Sequence, residues 1–310
     1  MGRLIVSPRG SGVFLTHLVI SLYNSYMTTT EQIESTPDGP TEKVEVQYWY
    51  DLAPYFYFDE DGNKFKVQAD TSLLGTKPNF RSDMGVTILE VLGSEDSIVN
   101  AARASLKQLA KEFPPEQNAG LVRRLVKDGH GVPLEHALIS FHLEVPIFVS
   151  RQIVKHRISS INESSGRYSS AIPDFYITHP DKPLVQLGKT MDYTFRHAPE
   201  DSGIYEAHAH LNRAMAEAAW ENYTQQIAAG ISKEDARKIL PVTAYSKMVV
   251  LLNVRSLLNF ISKRGFHEDA KVTSHPQWEI AQVSDQMEEA LAEHFPNVYS
   301  SFKENGYLPA

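Results

Sequence analysis

Leu138-Ile139-Ser140-Phe141-His142-Leu143-Glu144-Val145 is a strand-like run, and it ends at Pro146, a residue that suits the first position of a helix continuing through Ile147, Val149 and Ile153. That expected strand-to-helix junction opens directly into Arg151–Ser169, a polar and cationic stretch. Any fold for this chain must bury the strand and helix while keeping the charged stretch at a surface or in a cleft.

The remaining segments fill in a mixed architecture. Val86–Val91 reads as a short strand, followed by a helix capped by Ser94 or Asp96 and running through Ala101, Leu106 and Leu109. A helix is expected near Leu121–Lys127, stopping at Gly129. A long one covers Tyr205–Ala229, and a short one covers Ser232–Leu240, ended by Pro241. A mixed segment, Tyr245–Arg264, and a helix near Trp278–His294 follow, with Trp278 and Ile280 expected in the core. The expected class is α+β, helices packed around a modest antiparallel sheet, over residues 86–310. Val44–Phe58 and Lys64–Val67, joined by a turn at Asp61-Gly62, predict an added β element within residues 44–85.

Residues 1–43 are expected to be a partly disordered extension. Val13–Ile20 is apolar but too short to span a membrane, and no small-residue cleavage site follows it. Residues 28–44, with Pro37, Gly39 and Pro40, read as a linker. A cytoplasmic protein with no membrane partner is the resulting expectation.

Charge and cysteine usage narrow the chemistry. The 310 residues carry a formal net charge of -8, so binding to nucleic acid through the overall field is not expected. A polyanionic ligand must be held by a local basic cluster. The sequence contains no cysteine, which excludes disulfides, thiolate metal sites and attack on a carbon by a protein thiolate.

Such a cluster exists. Arg151, Lys155, Arg157 and Arg167 face only Glu163 as a counter-charge, with His156 as a further donor. Guanidinium groups bind phosphate bidentately, and hydroxyl and amide groups orient it. With polar residues and Gly166 filling the distal half, that half is expected to be a loop. Composition alone leaves two readings open, an anion pocket or an ordinary surface with scattered cations.

The pattern resembles the signature of flavin-dependent thymidylate synthases, Arg-His-Arg, seven residues, then Ser, here Lys155-His156-Arg157, residues 158–164, then Ser165. Asn100–Ser105, Gly129-His130, Pro133, Glu135-His136, Phe141-His142 and Pro146–Val149 agree upstream. Ala236–Pro241, Asn253–Phe260 and His275–Ile280 agree downstream, so the resemblance spans roughly residues 86–300. It implies the α+β thymidylate-synthase-complementing-protein fold and a homotetramer with shared active sites. It also implies bound FAD, dUMP or UMP as substrate, methylenetetrahydrofolate as one-carbon donor and NADPH as reductant.

Carried onto this chain, the resemblance implies a flavin site of Ser105, His130, Val132, Lys155, His156, Arg157, Ile158, Asn162, Glu163, Asn253, Arg255, Asn259 and His275. Gln152, Glu163, Ser165, Gly166, Arg167 and Arg237 would hold the nucleotide, and Arg264 would contact the pyrimidine. Arg264, Ser165 and His156 form the candidate catalytic set. Arg264 would act as a fixed cation where negative charge develops. Ser165 is assigned to binding, because no base stands beside it in a local Ser/His/Asp arrangement. His130, His136 and His142 lack a metal-binding pattern, since Lys271 stands where His-Glu-x-x-His would need its second histidine, and no metal is expected.

The chain also departs from the family pattern. Lys155 replaces an arginine and loses its bidentate fork. Gly131 and Val132 stand where polar residues are expected, and Gly265–Ser274 lengthens the link from Arg264 to His275. These departures point to a divergent branch, such as a UMP/dUMP methylase of nucleoside-antibiotic biosynthesis. The remaining alternative is a nucleotide-binding homologue that has lost turnover.

Overall fold

Strand β5 (Leu138–Pro146) anchors the molecule because every second side chain is apolar. Ile139, Phe141, Leu143 and Val145 are fully buried, while Ser140, His142 and Glu144 are half-buried on the other face. Each large buried side chain here contributes about 1.5–3 kcal/mol relative to exposure. The computed structural model describes residues 56–58, 61–66, 69–104, 113–189 and 192–310.

The chain forms two units, Met1–Val67 and Gln68–Ala310. In the first, β1 (Phe56–Phe58) and β2 (Lys64–Lys66) pair antiparallel across a turn in which Gly62 adopts φ 78°. The rest of the expected strand from Val44, the apolar run 13–20 and the linker 28–44 lie outside the described residues.

In the second unit, β4 (Gly85–Leu92), β5, β10 (Tyr245–Asn253) and β6 (Ser160–Glu163) form one antiparallel sheet in that order. β3 (Asn79–Arg81) pairs parallel with β7 (Asp174–Tyr176), and β8 (Val185–Lys189) with β9 (Asp192–Arg196) antiparallel. Residues 69–85, grouped by sequence with the hairpin, are thus knit into the larger unit.

The four-stranded sheet shares one core with α1 (Glu95–Ala104), α2 (Pro115–Lys127), α6 (Val254–Arg264), α7 (Trp278–His294) and α8 (Pro296–Glu304). A second core gathers Trp220, Tyr223 and Ile227 of α4 (Ile204–Ala228) around Phe175. The expected α+β class holds.

Several local expectations change. Pro146 closes β5 instead of opening the helix. Its ψ of 151° is extended, it pairs with Tyr245, and α3 (Ile147–Ile153) starts one residue later. The distal half of the basic stretch is not all loop, because Ser160–Glu163 adds to the edge of β10 as β6. The Ser232–Leu240 helix splits into α5 (Lys233–Ala236), capped where Ser232 Oγ accepts from Asp235 N, and a 3-10 turn over Arg237–Ile239. Trp278 is 37% exposed and not core, whereas Ile280 is fully buried. Leu106 and Leu109 lie outside the described residues.

Candidate active site

Two strand-to-helix units meet at the site. β5 passes into α3 and β10 into α6, and because the strands are antiparallel the two helices start at opposite ends. Asn253 caps α6 by accepting from Ser256 N at 2.8 Å. The 11 residues of α6 then run back about 16 Å, at 1.5 Å per residue, and carry Arg264 to the end of α3.

Arg264 is held there by three contacts. Nε donates to His156 Nε2 at 3.2 Å, one Nη to Gln152 Oε1 at 3.3 Å, and the other to the Gln152 carbonyl at 3.4 Å. His156 is fixed in turn by its backbone N–H to Ile153 O and by packing on Phe260, with ring centroids 4.7 Å apart. Burial, with the neighbouring Arg264 charge, lowers the His156 pKa to about 4. The imidazole is therefore neutral at pH 7, and accepting at Nε2 puts its proton on Nδ1. Burial also lowers the pKa of Arg264 from its ordinary value.

A cleft of about 820 Å³ opens beside this pair. It is lined by Glu135, Lys155, His156, Arg157, Ile158, Arg255, Ser256, Asn259, Lys263, Arg264, Pro309 and Ala310. Five cationic side chains thus face one acidic side chain, Glu135. Only Arg255 among them is ion-paired within the described residues, to Glu135 at 2.7 Å, and its Nε also donates to the Ala310 carbonyl at 3.1 Å. A concentration of unpaired cations in a concave site fits an anionic ligand, and Ile158 and the His156 ring add apolar surface to it.

The sequence-predicted residues divide between two places. The cleft gathers Lys155, His156, Arg157, Ile158, Arg255, Asn259 and Arg264, with Gln152 directly behind Arg264. Ser165, Gly166, Arg167 and Arg237 form a separate cluster after β6. Arg167 Nε donates to Glu234 at 2.8 Å, and Ser165 Oγ accepts from Arg167 N at 3.4 Å. A Cβ on Gly166 would lie 3.0 Å from Arg237 Cδ, so that side chain rests against the glycine. Arg167 does not line the cleft that holds Arg157 and Arg264.

The other described residues of the set do not line the cleft within one chain. Asn162 and Glu163 lie exposed on edge strand β6, and His130 and His275 are exposed. Asn253 serves as a helix cap. Val132 is 65% exposed and Ser105 lies outside the described residues. Gly131 changes meaning: a Cβ there would lie 2.8 Å from the Ala310 carbonyl and against Arg255 Nε. Its lack of a side chain makes room for Arg255.

Glu135, Ser256, Lys263, Pro309 and Ala310 were not assigned from sequence. Ser256 and Lys263 share a helical face with Asn259, at spacings of three and four, so that signal was readable. The two C-terminal residues carry no such periodicity.

Comparisons with known proteins identify the family. The family model described as thymidylate synthase complementing protein matches residues 87–297. A flavin-dependent thymidylate synthase of Streptomyces avermitilis is 38% identical over 247 residues, covering 76% of this chain and 98% of the relative. One from Tropheryma whipplei is 35% identical over 235 residues, covering 74% and 96%. The crystal structure of a UMP/dUMP methylase, PolB, from Streptomyces cacaoi bound with 5-Br UMP is similar at TM-score 0.69 and 33% identity, covering 75% of this chain and 99% of that one. The same methylase bound with 5-Br dUMP gives TM-score 0.70. The chain therefore belongs to the thymidylate synthase complementing protein family, that of the flavin-dependent thymidylate synthases.

Proposed function

We propose that this enzyme methylates C5 of a uridine monophosphate, dUMP or UMP, using bound FAD, methylenetetrahydrofolate as carbon donor and NADPH as reductant. The observation that carries the reading is Arg264, a half-buried cation with no carboxylate partner among the described residues, fixed by His156 and Gln152 at the wall of a cationic cleft.

The residues present fit the cofactor. Lys155, Arg157, Arg255 and Lys263 supply charge for a pyrophosphate, and Ile158 and Asn259 offer apolar and amide contacts for its rings. When bound, a flavin supplies two-electron hydride chemistry. In the net reaction C5 loses a proton and gains the folate's methylene carbon, and a hydride completes the methyl group. The chain itself contributes position and field: Arg264 offers a preorganised cation to negative charge on the pyrimidine, and neutral His156 orients it without competing for that charge. A chain without cysteine has no thiolate to add to the ring, which agrees with this chemistry.

The nucleotide phosphate is assigned to Ser165, Gly166, Arg167 and Arg237, with Gln152 reaching toward the base. Since that cluster does not line the cleft in one chain, the reading requires copies to combine their sites. Leu211 and Met215, apolar and exposed four residues apart on α4, offer a face for contact between copies, and the assembly proposed is a homotetramer. The solved relative was captured with both 5-Br UMP and 5-Br dUMP, which supports testing both sugars. Reconstitution with FAD, followed by mass analysis of products from dUMP and UMP, tests the proposal. Failure to take up flavin under any condition overturns it.

A further inference from the structure

We propose that the link from Arg264 to His275 clasps the C-terminal segment, and that His267 and Tyr307 thereby position Arg255 in the cationic cleft. This rests on the reading of that cleft as the flavin site and adds how its wall is held.

The chain leaves α8 through two successive left-handed residues, Gly306 at φ 65° and Tyr307 at φ 57°. Tyr307 is the one non-glycine with positive φ among the described residues, a conformation that persists only where surroundings impose it. The link supplies those surroundings. The His267 ring stacks on the Tyr307 ring with centroids 3.6 Å apart and planes 6° from parallel, while His267 Nε2 lies 3.3 Å from Glu288 Oε2 on α7. Lys271 donates its backbone N–H to the Gly306 carbonyl at 3.0 Å and its Nζ to Asn305 Oδ1 at 3.1 Å. A Cβ on Gly306 would come within 2.7 Å of Lys271 Cγ, so the fit depends on glycine there.

This double turn brings Pro309 and Ala310 to the cleft, where the Ala310 carbonyl accepts from Arg255 Nε at 3.1 Å. Arg255 also pairs with Glu135 through Nη1. Two of its five N–H donors are spent on fixing its direction, and the others remain for an anion. An arginine held this way loses less freedom on binding than a free one. Gly265–Ser274, which reads in sequence as longer than the family norm, is the segment that makes the clasp.

The test uses the absence of native thiols. Ala310→Cys installs a single cysteine, whose maleimide labelling rate is measured without flavin, alone and combined with His267→Leu. FAD dissociation constants are measured by fluorescence for the wild-type chain, His267→Leu and His267→Phe. We expect His267→Leu to speed labelling about tenfold and weaken FAD binding about tenfold, as for loss of one charge-assisted contact. His267→Phe, which keeps a ring to stack on Tyr307, is expected to restore FAD affinity. Unchanged labelling overturns the clasp, and faster labelling with unchanged FAD affinity overturns its positioning role. If His267→Leu does not fold, Lys271→Pro, which removes the backbone N–H given to the Gly306 carbonyl, must still speed labelling, and a failure there overturns the proposal equally. A wild-type chain that binds no FAD refutes the flavin reading, while the labelling arm still decides the clasp.

Discussion

Arg264 donates from Nε to Nε2 of His156 at 3.2 Å, and this one contact commits the imidazole to a neutral form protonated at Nδ1. A second proton on His156 would break the bond and set two cations against each other. The arrangement therefore ties the ionisation of one residue to the position of the other.

The pH dependence follows in sign. The unfolded chain protonates His156 near pH 6.5, whereas burial and Arg264 delay this in the folded state to about 4. The folded state thus binds fewer protons between those values, and stability falls as pH drops from about 6.5 to about 4. Thermal unfolding across this window should show a shallower loss for His156→Gln, which keeps an acceptor but does not titrate. Parallel curves would contradict the assignment.

Removing the fixed cation should affect chemistry more than binding. Arg264→Gln is expected to lower turnover by about 10²–10³-fold, the scale seen for loss of a preorganised charge-stabilising donor. The side chain is half-buried and makes no ion pair among the described residues, so unfolding should shift little. Steady-state product formation alongside equilibrium FAD and nucleotide binding separates the two effects.

Gly131 leaves room that any side chain would fill. Gly131→Ala puts a Cβ 2.8 Å from the Ala310 carbonyl and against Arg255, so the arginine or the C-terminal segment must move. Overpacking of this kind costs about 1–3 kcal/mol, and FAD titration should show weaker binding with nucleotide affinity retained.

The cluster after β6 should behave in the opposite way. Arg237→Ala is expected to weaken nucleotide binding by about 10–100-fold, the value of one or two charge-assisted hydrogen bonds to phosphate. FAD affinity should be unchanged, because Arg237 rests against Gly166 and not in the cleft. Isothermal titration with dUMP and with FAD reads both.

Much of this fold is legible in the sequence because the signal is local. The apolar alternation of Leu138–Val145 and the bounds of Trp278–His294 need no knowledge of the rest of the chain. Ser160–Glu163 is different: its short polar sequence carries no strand signal, and only the free edge of β10 makes it one. The site is legible in one loop and one helix, through the motif at Lys155–Ile158 that follows α3 and the periodicity along α6. Gly131 and the C-terminal segment are not, because their roles arise from a non-local approach to Arg255. Nor does the sequence reveal that Ser165, Gly166, Arg167 and Arg237 lie outside the lining of the cleft within one chain.

Mass analysis of nucleotide products decides whether the cleft supports methyl transfer to C5. FAD-loaded protein is incubated with dUMP or UMP, methylenetetrahydrofolate and NADPH, with Arg264→Gln as control. A nucleotide heavier by one methylene unit is expected from at least one substrate, and nearly none from the variant. Full occupancy by FAD and nucleotide with no heavier product from either substrate would contradict it.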